Sequence, residues 1–310
     1  MKNDTDTVTS NNLQDEIDLR QLIEMLWAEK ILIFGFTIFF SLAAVLYSLS
    51  LPNIYQSSAL LSPVSQNESN QSSSNMGGLA SLAGIEISRS GGKEAMAVKK
   101  LNTLSFFTDN IYPNIFLPDL MAIESWNANA NTTYYKSNLF DNESGEWVRN
   151  YQYPKSQIPS PQESYKIFKK QYKVIEDEAT GFVTIKVKHQ SPITANAWTK
   201  LIVDQINDFF RAKDKLEAQA SIDFLSVQMS QTSQTEIKQV IAALLQQKMK
   251  QMTLIEANEF YVFAYLDPPM VMEEKIEPVR SKISILGALL GLLLGIIFVI
   301  VRNYFSESKY

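Results

Sequence analysis

Residues 283–301 read I-S-I-L-G-A-L-L-G-L-L-L-G-I-I-F-V-I-V, and no charge interrupts the chain between Lys282 and Arg302. A run of that length and composition spans a bilayer as a helix. Gly287, Gly291 and Gly295 recur every four residues, which places them on one face of such a helix. Small residues in that pattern let two membrane helices approach closely. A second apolar run, Ile31–Leu51, lies near the amino-terminal end. It is too long for the apolar core of a signal peptide and has no small-residue cleavage site before Leu51-Pro52, so it reads as a stop-transfer anchor. The segment between the runs is polar, and any fold must hold it at both ends.

Flanking charge orients the first run. Arg20 and Lys30 precede it, and the next basic residue after it is Arg89. The amino terminus is therefore expected in the cytoplasm. Two crossings then return the carboxyl end to the cytoplasm and leave residues 52–282 across the membrane. The charges around the second run, Arg280 and Lys282 before it and Arg302 and Lys309 after it, support this orientation only weakly. The expected layout is a cytoplasmic tail and amphipathic helix over 1–30, a first span over 31–51 and a middle domain over 52–282. A second span over 283–301 and a short tail over 302–310 complete it.

Before the first span, residues 1–16 are polar and aperiodic. Ile17, Leu19, Leu22, Ile23, Leu26 and Trp27 then recur at helical spacing, with Asp15, Glu16 and Asp18 in the first turn. After it, Ile54–Val64 has strand composition. Residues 65–78 are nearly all Ser, Asn, Gln and Gly and read as a mobile loop, and 78–87 as one helical turn. Gly91-Gly92 breaks the chain before a helix over Lys93–Tyr112, with Ala97, Leu101, Leu104, Phe107 and Ile111 inward and Pro113 ending it. Residues 113–165, rich in Asn, Tyr, Ser and Pro, predict irregular structure with short helices. Phe168–Ile175 and Phe182–His189 predict a hairpin, with Val183, Ile185 and Val187 on its buried face.

Ser191-Pro192 supplies a cap and a first-turn proline for a helix. From Ile193 to Asp267 there is neither Gly nor Pro. Apolar residues recur at three and four: Trp198, Leu201 or Ile202, Ile206 and Phe209; Ile222, Leu225 and Met229; Ile237, Ile241 and Leu244. This predicts a long coiled-coil-like arm over about 193–258. A single straight helix over 193–267 would be ~110 Å long. Residues 268–282 reach ~50 Å at most. Either the helix starts far from the membrane or it folds back. The Ser- and Gln-rich run 226–236 is the weakest helical stretch, so a tip there is preferred. Glu259–Leu266 then reads as a returning strand, and an extended acidic linker with Pro278 leads into the second span.

Several chemistries are excluded. The chain has no cysteine, which removes disulfides, thiolate metal sites and cysteine nucleophiles. Its net charge of −5 and lack of a basic aromatic-interleaved patch argue against nucleic acid. Gly91-Gly92-Lys93 lacks phosphate-loop spacing. His189 is the only histidine, so two-histidine metal motifs are impossible. A Ser–His–Asp triad would have to use it, but its place beside Gln190 and Ser191 suits a strand-end or surface histidine. Glu273 and Glu274 read as a solvated linker pair. Asp119, Trp126 and Trp147 are candidates for a sugar-contacting surface, although half-buried aromatics in a loop-rich lobe account for them as well. No catalytic residue, cofactor or metal is implied.

The pieces together resemble the Wzz-type polysaccharide co-polymerases, the bacterial chain-length determinants. The resemblance runs through E-I-D-L-R-Q-L-I-E-M-L-W (16–27), the first span and I-Y-Q-S-S-A (54–59). It continues in H-Q-S-P-I-T-A-N-A-W (189–198), F-Y-V-F-A-Y-L-D-P-P (260–269), E-P-V-R-S-K (277–282) and the glycine-repeat span. It implies an α+β inner-membrane protein with two transmembrane helices flanking a periplasmic α/β base and a long coiled-coil-like arm. It further implies a ring-shaped homo-oligomer that sets the length of O-antigen or a related surface glycan with a Wzy-type polymerase, as a scaffold and not a catalyst. Nascent polysaccharide or lipid-linked glycan is an implied partner. Gly287, Gly291, Gly295 and Pro278 correspond to the family's second-span region, although Pro278 stands nearly alone where relatives often carry several prolines. The tyrosine-kinase domain of longer relatives is not expected after Tyr310. Competing expectations are a capsule-export adaptor, a membrane-anchored sensor and a glycan hydrolase.

Overall fold

The computed structural model describes residues 19–64 and 92–307, without the side chains of 19–22, 304, 306 and 307. The expected polar tail, the acidic first turn at 15–18, the loop at 65–78, the turn at 78–87, Gly91 and residues 308–310 lie outside these. The chain divides into two compact units. One holds the chain up to Pro52 and from Glu277 onward, and the other is Asn53–Ile276.

The first unit is helical. Helix α1, Leu19–Ala28, and helix α2, Lys30–Ser50, are separated at Glu29, whose backbone leaves the helical region (φ −100°, ψ 21°). The amphipathic stretch and the first apolar run are thus two helices, not one. The second apolar run lies in the last helix, Arg280–Glu307.

In the second unit a four-stranded antiparallel sheet carries the core. Its strands are β1 (Tyr55–Pro63), β6 (Tyr172–Glu176), β7 (Val183–His189) and β8 (Phe263–Asp267), in the order β6-β7-β1-β8. Alternation decides which face is inward. Val183, Ile185, Val187 and His189 are buried on β7, and Ser57, Ala59 and Leu61 on β1. Helix α6, Pro192–Gln231, packs on β1 and β7, with Trp198, Ile202, Val203 and Ile206 in the core. The turn between β6 and β7 ends at Gly181, whose φ of +72° is the region a glycine enters without steric cost.

Helix α3, Lys93–Leu101, is shorter than expected. The chain breaks at Asn102-Thr103, and the Thr103 hydroxyl accepts from the Phe106 N–H at 3.2 Å. A widened π turn over Phe107–Ile111 follows, then a 3₁₀ turn at Tyr112–Asn114. The wider turn shifts the helical phase. Phe106, Phe107 and Ile111 are all buried, while Leu104 is 38% exposed.

Residues 113–165 are more ordered than their composition implies. Helix α4, Leu117–Met121, precedes two small hairpins. These are β2 (Ile123–Asn127) with β3 (Thr132–Tyr135), and β4 (Phe140–Asp141) with β5 (Glu146–Trp147). Helix α5, Pro161–Gln171, starts at a capping box between Ser160 and Glu163. Phe168–Gln171 is therefore helix and not strand. Charged residues on one face and Phe168 on the other fit a helical period as well as a strand period, and the cap decides between them.

The long helical segment folds back. Helix α6 runs for 40 residues and starts as expected, with the Ser191 hydroxyl accepting from the Thr194 N–H at 3.3 Å. The chain leaves the helix at Thr232–Gln234, and helix α7 returns over Thr235–Ala257. Lys215 Nζ meets Glu256 Oε1 at 2.5 Å, and Phe224 and Leu225 face Leu244 and Gln247, which shows the two helices antiparallel. The returning strand β8 starts at Phe263, later than expected.

Two buried polar residues set the register of these elements. Asn207 on α6 donates from Nδ2 to the Phe263 carbonyl at 3.0 Å, and its Oδ1 accepts from the N–H groups of Val262 (2.8 Å) and Phe263 (3.0 Å). Replacing it by Ala leaves buried backbone groups unpaired. Asn207→Ala is expected to destabilise the protein by about 3 kcal/mol in denaturant unfolding of the full-length protein in micelles. A loss near zero would show that the β8 backbone finds other partners.

His189 is 2% exposed. Its Nδ1 accepts from the Ser191 N–H at 3.0 Å, so Nε2 carries the proton and donates to the Asp119 carbonyl, also at 3.0 Å. Burial holds its pKa below the usual histidine value of 6.5. The folded state therefore binds the proton less readily than the unfolded chain. This contribution to stability is complete above pH 6.5 and falls as pH drops from there towards the lower folded value. Between pH 7.5 and 5.5, stability is expected to fall by about 1 kcal/mol more in the native protein than in His189→Gln. Equal pH dependence of the two would refute this.

Candidate functional site

The glycine face of the second apolar run meets the first. In the unit formed by the chain ends, Gly287 lies against Ala44 and the Phe40 carbonyl, Gly291 against Phe36, Thr37 and Phe40, and Gly295 against Ile33 and Phe36. The descending series on α2 shows that the two helices run antiparallel. Contact at Gly291 is closest to backbone. A Cβ there would stand 2.8 Å from the Phe36 carbonyl oxygen and 2.9 Å from the Thr37 Cα. Only glycine permits this approach without displacement. Phe36 and Phe298 add a ring contact at 5.2 Å, and Val299, four residues after Gly295, is buried. Glu29 and Arg302 approach to 3.4 Å at an exposed end of the pair, an interaction of small energy.

Outside the seam the two helices are apolar and exposed, as at Phe34, Phe39, Leu286 and Leu289. Both are long and apolar enough to cross a membrane, over Lys30–Ser50 and Arg280–Asn303. Pro278 stands just before the second helix, and its peptide bond with Glu277 is cis.

In the middle unit, the polar side chains that the fold brings together bind elements to one another. Lys93 Nζ lies 2.5 Å from Asp214 Oδ2 and 3.2 Å from the Tyr261 hydroxyl, which itself donates to Asp214 at 2.6 Å. The ammonium also sits over the Tyr261 ring, 4.4 Å from its centroid. Burial alone would lower the Lys93 pKa, but its bonds to Asp214 and Tyr261 outweigh that and raise it, so the lysine is charged. Arg211 donates to the carbonyls of Asn258 (3.0 Å) and Glu259 (2.6 Å), which satisfies open acceptors where α7 ends. Helix α3, the outgoing helix, the returning helix and the chain entering β8 are thus joined at the root of the arm. Arg149 holds Glu163 at 2.8 Å and donates to the Gln157 carbonyl at 2.8 Å, tying the loop before α5 to its capping box.

His189 is no triad member. Both ring nitrogens are taken by backbone groups, and the ring packs 5.0 Å from Trp198. It is a strand-end residue as expected, but buried and not on the surface, because α6 covers that end of β7. Asp119 accepts from the Tyr135 hydroxyl at 2.6 Å. Burial first, and Asp119 second, push the Tyr135 pKa up, so the tyrosine stays protonated. Trp126 packs edge-on against Tyr55 and donates to Asn131, while Trp147 packs on Phe140. Asp119, Trp126 and Trp147 belong to three separate small elements. Glu273 and Glu274 are exposed.

Sequence reasoning missed Asn207, the Lys93–Asp214–Tyr261 group and the Arg149–Glu163 pair. Asn207 had a signal: a polar residue next to Ile206 on the face that Trp198, Ile202 and Phe210 bury. The other two join residues distant in sequence, and no local pattern marks them.

Residues 15–101 match the family model of Wzz, the chain length determinant protein. A solved structure described as a full-length bacterial polysaccharide co-polymerase is similar at 14% identity, with 94% of this chain and 99% of that chain covered and a TM-score of 0.37. No curated protein matches the chain. The stretch matched by the family model takes in α1, α2, β1 and α3, where two of the quoted motifs stand. The Wzz-type resemblance is therefore shown, and it rests on residues 15–101, which are similar to the Wzz chain length determinant family.

Proposed function

We propose that the protein is a membrane-held, non-enzymatic regulator of the chain length of O-antigen or a related surface polysaccharide. In this reading it works as a homo-oligomeric scaffold beside a Wzy-type polymerase. The family match over 15–101 is the observation that carries the proposal. Two further features support it. The exposed apolar helices at the chain ends suit two crossings of the inner membrane, with both termini in the cytoplasm on the charge argument and the middle unit in the periplasm. The buried His189 and Asn207 and the half-buried Asp214 of the middle unit are spent on backbone and inter-element bonds.

Deleting the gene should change the length distribution of the surface glycan on a gel while glycan is still made. An unchanged ladder would contradict the proposal. Polymer of unchanged length trapped inside the cell would identify an export adaptor instead. In the complemented strain, Gly291→Leu should shift the ladder, because the added side chain has no space against Phe36 and Thr37. A native oligomer with a native ladder in that variant would make the glycine face incidental to function.

A further inference from the structure

The segment after β8 exposes a row of apolar side chains. Leu266, Met270, Val271, Met272 and Ile276 are 36–61% exposed. Contiguous apolar exposure of this kind marks a surface that another phase or molecule covers. The backbone of the same segment is pinned down. Ser57 Oγ donates to the Met270 carbonyl at 3.1 Å, Lys275 Nζ donates to Asn53 Oδ1 at 3.0 Å, and the Ile276 N–H donates to the Ile54 carbonyl at 2.9 Å. The strap therefore runs along the start of β1 with its polar backbone groups engaged there and its apolar side chains left outside.

Covalent connectivity states what lies nearby. Asn53 follows the apolar helix that ends at Ser50, and Ile276 precedes the one that starts at Arg280. Either connection reaches roughly 14 Å at most. A segment held so close to two membrane-crossing helices is within reach of the headgroup region, where a mixture of apolar and charged side chains is stable. Methionine suits that environment, being flexible and polarisable. The exposed Glu273-Glu274 pair disfavours an anionic surface and points to zwitterionic headgroups.

We infer that residues 270–276 form an interfacial strap that rests on zwitterionic phospholipid. This inference rests on the reading of the two apolar helices as membrane spans, and its test separates the two.

The chain lacks cysteine, so single-cysteine variants can carry a nitroxide label without background. Val271→Cys, Leu290→Cys and Ser144→Cys are labelled in the full-length protein. Each is reconstituted in phosphatidylethanolamine–phosphatidylcholine vesicles, and accessibility to oxygen and to a water-soluble nickel chelate is measured by power saturation. The expected oxygen-to-nickel ratio is highest at 290, lowest at 144 and intermediate at 271, several-fold above 144. A ratio at 271 equal to that at 144 places the strap in water and overturns the inference. A label at 271 shielded from both reagents places it against protein and overturns it too. A low ratio at 290 would instead refute the spans themselves. Met270→Cys and Met272→Cys give the same readout should substitution at 271 disturb the fold.

Discussion

The chain from Phe263 to Ile276 lies antiparallel along β1 from Pro63 back to Ile54, first as strand and then as strap. This pairing joins the two ends of the middle unit. Strand β1 is the first element after one apolar helix and β8 the last strand before the other. The backbone hydrogen bonds of this pairing thus hold the two ends of the middle unit side by side. On its other side β1 pairs with β7, Ala59 opposite Ile185 and Leu61 opposite Val183, which keeps both residues on the buried face. The pairing that closes the middle unit is thus part of the same sheet that carries its core.

The arm depends on that closure. Burial on α6 is dense where the helix crosses the sheet, from Pro192 to Phe210, and thin beyond it, with Ala218 the last fully buried residue. On α7 only Ile241 and Ile255 are buried. A helix pair with so little shared core draws its stability from where it is rooted. Asn207 fastens α6 to the start of β8, Arg211 satisfies the end of α7, and Lys93 joins α3 to Asp214 on α6 and to Tyr261 before β8. The order of elements from β7 to β8 is thus one continuous excursion out from the sheet and back to it.

Much of this was legible in the sequence, and the reasons differ by element. The two long apolar helices were visible because length and lack of charge suffice to mark them. The helix start at Ser191-Pro192 was visible because cap chemistry is local, and the buried face of β7 because strand alternation is local. The fold-back was inferred from chain reach, and the break falls at Thr232–Gln234, inside the expected stretch. Other features were hidden. The π turn at Phe107–Ile111 changes the helical period without any marker residue, so Leu104 was assigned inward. The hairpins between Ile123 and Trp147 are short and rest on aromatic edge contacts among Phe116, Tyr135, Phe140 and Trp147, not on alternation. The start of α5 was missed because Phe168 satisfies both periods. The side-chain ties at the arm's root couple residues from 47 positions apart, as with Arg211 and Asn258, to 168, as with Lys93 and Tyr261.

The glycine face shows how far a local pattern goes. The sequence places Gly287, Gly291 and Gly295 on one helix face without naming the helix they meet. In the structure Gly287, Gly291 and Gly295 admit α2 to backbone contact, so the two ends of the chain pack as one antiparallel pair. The central claim is that this pair crosses the membrane twice and leaves the whole middle unit on the far side from both termini. The direct measurement is cysteine labelling with a membrane-impermeant maleimide in spheroplasts, using Ser144→Cys in the middle unit and Ser308→Cys near the end of the chain. The account predicts that residue 144 reacts in intact spheroplasts and residue 308 only after the membrane is permeabilised. Reaction of both positions, or of 308 alone, before permeabilisation would contradict it.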